Sequence, residues 1–145
     1  MELWELLARE AIRETIASYA HFLDSGRFDD GIALFAPDGV LEVHGGATAR
    51  GHNELRAFFS GVNADLRDTT SVPLIRHYTS NLSIDVASPT EANARCYFLA
   101  VTETGVDHWG RYRDRLVPDG DRWVFAHRLV RTDGVVPGGW AEHRV

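Results

Sequence analysis

Residues 75–86 read IRHYTSNLSIDV, and three stretches of the same kind come after it: ANARCYFLAVTET at 92–104, DHWGRYRDRLV at 107–117 and RWVFAHRLVRT at 122–132. Each mixes β-branched and aromatic side chains with polar ones, the composition that suits a pleated, half-buried strand. Ser88-Pro89, Gly105 and Pro118-Asp119-Gly120 separate them, turn chemistry on connections short enough to make neighbours of successive strands. The second half of the chain therefore predicts an antiparallel meander.

The first half is built differently. From 3 to 23, Trp4, Leu7, Ala11, Ile12, Ile16, Tyr19, Ala20 and Leu23 recur at steps of three and four, which marks one face of a helix. Ser25-Gly26 supplies a residue able to turn left-handed and stop it. FDDGIALFA at 28–36 predicts a short second helix, Pro37-Asp38-Gly39 a turn, and residues 40–43 a short strand. NELRAFFS at 53–60, extendable to Leu66, predicts a third helix, and Arg67 to Val72 a polar loop. The glycine-rich HGGATARG at 44–51 lacks the Gly-Lys-Ser/Thr sequence of a phosphate cradle. Helices first and strands after mean α+β, with the helices on one face of a curved sheet. Residues 1–132 read as one domain. Residues 133–145 read as a tail without periodicity, either loose or folded over a pocket mouth.

Composition sets the outer limits. The chain has 145 residues, 44% hydrophobic and 25% charged, which excludes a disordered chain, a collagen-like repeat and a disulfide scaffold. Its formal charge of −6 and pI near 5.6 count against nucleic acid or an anionic membrane as partner. The opening MELWELLARE lacks the basic start of a signal peptide, and no apolar run approaches the ~18–20 residues of a membrane span. A cytoplasmic location is the expectation. Cys96 is a lone cysteine, and His21, His44, His52 and His143 show no metal-ligand spacing, so neither an internal disulfide nor a metal site is expected.

The order of elements carries a resemblance. Together with Tyr19-x4-Asp24-x-Gly26, Ala33-Leu34-Phe35-Ala36-x-Asp38, Arg76-His77 with Asn81, Gly110-x-Tyr112-x-Asp114, and Asp119-Gly120 before Trp123, it is similar to the SnoaL-like branch of the nuclear-transport-factor-2-like superfamily. The resemblance implies a conical α+β barrel: three N-terminal helices on a strongly curved, mainly antiparallel sheet, with the ligand inside the cone. Members include polyketide cyclases, scytalone and bile-acid dehydratases and ketosteroid isomerases. The match to the ketosteroid isomerases fails at their aspartate base, which falls on Val43. The bile-acid dehydratase type matches at Tyr19, Asp24 and His77, and implies an arginine at Arg128 or Arg131.

That trio is chemically coherent. Histidine takes and gives protons near neutrality, a carboxylate on its other ring nitrogen fixes the tautomer, and a tyrosine hydroxyl stabilises an enolate. On a continuous helix, five residues turn through about 500°, leaving Tyr19 and Asp24 about 140° apart. The helix must therefore end near Leu23 for Asp24 to swing inward. Strand alternation puts His77, Thr79 and Asn81 on one face. It also sends Trp109 and His108 to opposite faces, with Trp109 taken as the pocket wall. Tyr112, Arg128 and Arg131 complete the expected substrate-binding set, and His127 is expected to share a face with Phe125 and Arg131. The expectation is a cofactor-free dehydratase, cyclase or isomerase for a small hydrophobic ligand, homodimeric through the sheet face carrying Tyr97, Leu99 and Val101. The alternative is a non-catalytic binding module or the small subunit of a ring-hydroxylating dioxygenase-type complex.

Overall fold

The computed structural model describes residues 1–69 and 74–144. Along the chain run α1 (Leu3–Asp24), α2 (Phe28–Ile32), β1 (Phe35–Val43), β2 (Thr48–Arg50), α3 (Gly51–Thr69), β3 (Ile75–Ser88), β4 (Glu91–Thr102), β5 (Gly105–Asp119) and β6 (Arg122–Val135). The strands form one sheet in the order β2-β1-β6-β5-β4-β3. All neighbouring pairs are antiparallel except β1 with β6. The fold is α+β, as the sequence implies, but the sheet does not close: β2 and β3 are free edges. The enclosure comes from the helices, with α1 packed on β3 and β6 and α3 on β1 and β2.

Two stretches of the first half differ from expectation. The helix expected over 28–36 ends at Ile32, because the buried run Leu34-Phe35-Ala36 is taken up by the sheet. Phe35 pairs with Phe125 of β6, and the Phe125 amide donates to the Leu34 carbonyl at 2.8 Å. The expected turn at Pro37-Asp38-Gly39 becomes the irregularity inside β1, where a side chain on Gly39 would lie 2.8 Å from the Phe125 carbonyl. The glycine-rich loop folds into a hairpin, Thr48–Arg50 pairing back on Val40–Glu42. Of the polar loop expected over Arg67–Val72, the first residues belong to α3 and the rest lies outside the described residues.

The inward stripe of α1 is Ala8, Ile12, Thr15, Ile16 and Tyr19, whereas Trp4 and Leu7 of the expected stripe lie outside, 43% and 62% exposed. Ile12, Ile16 and Tyr19 meet Phe35, Leu41 and Phe59, with Leu116 and Phe125 beneath. Burying each such side chain stabilises the fold by roughly 1.5–3 kcal/mol.

Three of the register breaks decide which strand residues face the helices around the cavity. In β3 the register slips between Ser80 and Ser83, and Asn81 takes a left-handed φ of 57°. The inward row that starts at Ile75, His77 and Thr79 therefore passes to Leu82 and Ile84, and Asn81 is exposed. In β5, Ala100 pairs with His108 but Val101 with Val106, so Asp107 is the extra residue. In β6, Arg115 pairs with His127 but Leu116 with Phe125, so Ala126 is extra. An extra residue bends a strand and re-aims the side chains beyond it. After Ala126 the inward positions are Arg128, Val130 and Thr132; His127 instead bonds Glu42 at 3.1 Å, away from the face that Phe125 occupies.

Candidate active site

Asp24 is the last residue of α1, and Gly26, at φ 77°, turns the chain away behind it. The turn frees the Asp24 carboxylate from the helical spiral and lets it meet the start of β3. Oδ1 lies 2.7 Å from Nδ1 of His77, and Oδ2 accepts the His77 backbone N–H at 2.8 Å. One carboxylate thus fixes both the ring and the strand that carries it. A carboxylate can only accept here, so Nδ1–H is the donor and, in the neutral ring, Nε2 carries the lone pair. Among the described residues Nε2 has no bonding partner.

A second dyad stands beside the first. Nδ1 of His108 lies 2.8 Å from Oδ2 of Asp107, and the His108 ring centroid is 6.3 Å from that of His77, nearly perpendicular. Burial pushes the His108 pKa down, and the bond to Asp107 only partly offsets it. His108 is therefore neutral at pH 7, its free ring nitrogen an acceptor.

Tyr19 occupies the inward stripe of α1 among Phe35, Phe59, Tyr112 and Phe125, whose rings meet it edge-on. Burial pushes its phenol up to about 12, with the Arg128 charge pulling the other way. The hydroxyl keeps its proton and is a donor. Burial likewise pushes the Tyr112 phenol up. Arg128 is fully buried behind both rings, its guanidinium 4.3 Å from the Tyr19 centroid and 4.0 Å from that of Tyr112. Two 2.8 Å hydrogen bonds, from Nε and Nη2, tie it to Asp114. Burial by itself would favour the neutral guanidine; the Asp114 carboxylate outweighs it and holds the charge in place.

Beside these groups lies a cavity of about 590 Å³, in the range of small-molecule sites. Tyr19, Asp24, His77, His108 and Tyr112 border it, with Phe58, Phe59, Phe98 and Trp140 as apolar wall. Of the residues proposed from sequence, the structure brings together Tyr19, Asp24, His77 and Tyr112. Arg128 touches the site through the two tyrosine rings rather than from the cavity wall. Asn81 and Arg131 are exposed and do not border the cavity. Trp109 is corrected: it is 41% exposed on the outer face, its ring laid over Gly134, and its neighbour His108 points in. Alternation rightly separates the two but does not say which goes inside; the bulge at Asp107 does. Asp107, His108, Trp140 and the wall residues Phe58, Phe59 and Phe98 stand outside the set proposed from sequence. The adjacent acid–imidazole pair Asp107-His108 was the available signal.

The constellation can be set beside known proteins. The SnoaL-like domain matches residues 4–129. The chain belongs to the SnoaL-like domain family. Among solved structures, a Novosphingobium aromaticivorans protein described as a "Putative Scytalone Dehydratase" is 27% identical, with TM-score 0.81 over 94% of this chain and 91% of that one. A nuclear-transport-factor-2-like protein with a cystatin-like fold from the same organism is 26% identical, with TM-score 0.76 over 90% and 86%. LinA superposes with TM-score 0.81 over 93% and 92% at 17% identity, a likeness of fold alone. No curated protein matches the chain. The SnoaL-like match contains both dyads and Tyr19, and it ends before the segment that carries Trp140.

Proposed function

We propose that this SnoaL-like protein is a cofactor-free lyase or isomerase that removes a proton beside a carbonyl of a hydrophobic, cyclic, oxygenated substrate of polyketide, steroid or terpenoid type. The observation that carries the reading is the Asp24–His77 dyad, with one bonded and one free ring nitrogen, on the wall of an aromatic cavity. His77 Nε2 takes the proton, and the electron pair left on carbon flows into the carbonyl. The Tyr19 O–H donates to the oxygen as it becomes an enolate, and Asp24 stabilises the imidazolium. When the enolate collapses, a β-hydroxyl leaves with the proton that His77 returns. The products are a conjugated enone and water, and His77 ends as it began. Return of the proton to a different carbon instead is isomerisation. His108, neutral and beside His77, is a second acceptor for a substrate hydroxyl.

The dehydratase description of the Novosphingobium relative supports this class of reaction. The reading also has the chain pairing with a second copy through the outer sheet face, where Tyr78, Tyr97 and Trp109 are exposed. The test is a panel of cyclic β-hydroxy ketones monitored by enone absorbance. Turnover by the wild type, cut about 10²–10⁴-fold by His77→Ala, supports the reading. Turnover of the same compound within about threefold in the variant, against that range for an acid–base group, overturns it.

A further inference from the structure

Asp107 is 1% exposed, yet its carboxylate serves two parts of the molecule. Oδ2 binds Nδ1 of His108 at 2.8 Å. The same two oxygens accept the backbone N–H groups of Trp140 at 2.6 Å and of Ala141 at 3.1 Å. The carboxylate thus sits where the turn after β6 folds back over the cavity. Gly139 lies against it so closely that a Cβ there would come within 2.9 Å of Oδ1 and 3.0 Å of the Val136 carbonyl. The turn seats only because that position has no side chain. Once seated, it places the Trp140 ring 6.3 Å from the His108 ring and on the cavity wall. Arg144 then reaches across to Asp65 of α3 at 3.9 Å, spanning the mouth from the other side.

We propose that Asp107 is a positioning residue that couples the turn at Val136–Arg144 to His108, so that seating the turn over the cavity and aiming the His108 ring into it are one event. The three donors share one carboxylate. With the turn seated, its two backbone N–H groups hold the carboxylate in a single orientation, and that orientation keeps the proton of His108 on Nδ1 and the acceptor Nε2 on the cavity side. With the turn released, the carboxylate loses two of three partners, the Trp140 ring no longer backs the imidazole, and His108 samples other tautomers and rotamers. The cavity then has its second acceptor only while closed, when water is excluded. This coupling is a property of the folded chain. Its consequence for turnover rests on the proposed function.

The test uses the full chain without substrate, so it is independent of whether any reaction is found. Nitrogen-15 spectra of the histidine rings report each tautomer, and amide exchange reports whether the turn is seated. Gly139→Val keeps the Asp107 and His108 side chains and acts through the clash of its own side chain with Oδ1 of Asp107 and the Val136 carbonyl. It is expected to lower protection of the Ala141 amide about tenfold or more, the size of one lost hydrogen bond to a charged group. It is also expected to shift the His108 ring from the Nδ1–H form toward a mixture, leaving the His77 ring signals as they are. Asp107→Asn is expected to do both. If Gly139→Val does not fold, Gly139→Ala carries the same clash with less bulk. Loss of amide protection with unchanged His108 ring signals would overturn the coupling, and so would full protection in either glycine variant or in Asp107→Asn.

Discussion

Asp24 accepts two hydrogen bonds from a single residue, His77: the ring Nδ1–H at 2.7 Å and the backbone N–H at 2.8 Å. The end of the first helix and the start of the first long strand are thereby joined at the group that would do the chemistry. Asp24→Ala removes both acceptors and strands a part-buried N–H. Urea denaturation is expected to show a loss of about 1–3 kcal/mol. Asp24→Asn keeps the shape of the side chain while losing its charge, so it should cost less stability and still lower turnover by a factor of about 10² or more, as expected when the ring loses its orienting anion. Equal turnover in Asp24→Asn and wild type would mean that the carboxylate is only a clamp.

Tyr19→Phe separates the hydroxyl from the packing. The ring keeps its edge-on neighbours and its contact with Arg128, so the denaturation midpoint should move by no more than one hydrogen bond's worth, about 1 kcal/mol. Loss of the O–H should lower kcat/KM about 10²–10³-fold, the range for one donor to a developing oxyanion. A large stability loss with intact kcat/KM would make Tyr19 a core residue.

Asp114 and Arg128 are wholly buried and bonded bidentately. Removing one partner leaves a buried unpaired charge, so Asp114→Ala should destabilise the fold by about 3–5 kcal/mol, whereas the double variant Asp114→Leu with Arg128→Met should lose much less. A thermodynamic cycle of the two singles and the double measures this coupling. Additive losses would mean that the pair acts as two independent residues.

His108 makes folding depend on pH in a stated direction. Burial lowers its pKa in the native state, so as pH falls the unfolded chain takes up this proton first, near the unperturbed value of about 6.5. The stability from the neutral ring is complete above that pH and is lost as pH falls from about 6.5 toward the lower native value. Free energies of unfolding at pH 7.5 and 5 should therefore converge for His108→Asn relative to wild type. Parallel curves would contradict the assignment.

Much of this was legible in the sequence because it is periodic. The helical stripe through Ile12, Ile16 and Tyr19 and the turn residues between strands imply the α+β order, and the pairing of Asp24 with His77 becomes readable once Gly26 is taken as the stop. The errors sit where the period breaks. Asn81, Asp107 and Ala126 are single extra residues in strands, and each reassigns the faces beyond it. Hence Asn81 drops out of the inward row, His108 replaces Trp109, and His127 parts from Phe125. Backbone pairing sets a bulge, and no local composition marks these three. The seated C-terminal turn was legible only as one of two alternatives for the tail, since two backbone N–H groups and a glycine hold it, none of which leaves a pattern.

Proton removal by His77 is the step on which the proposed reaction turns. Incubating a cyclic ketone with the protein in heavy water and tracking deuterium entry beside the carbonyl by NMR measures that step without requiring the complete reaction. Exchange catalysed by the wild type and lowered at least about a hundredfold by His77→Gln is the predicted result. Exchange that is absent from the wild type across the ketone panel, or unchanged in the variant, would contradict that role for His77.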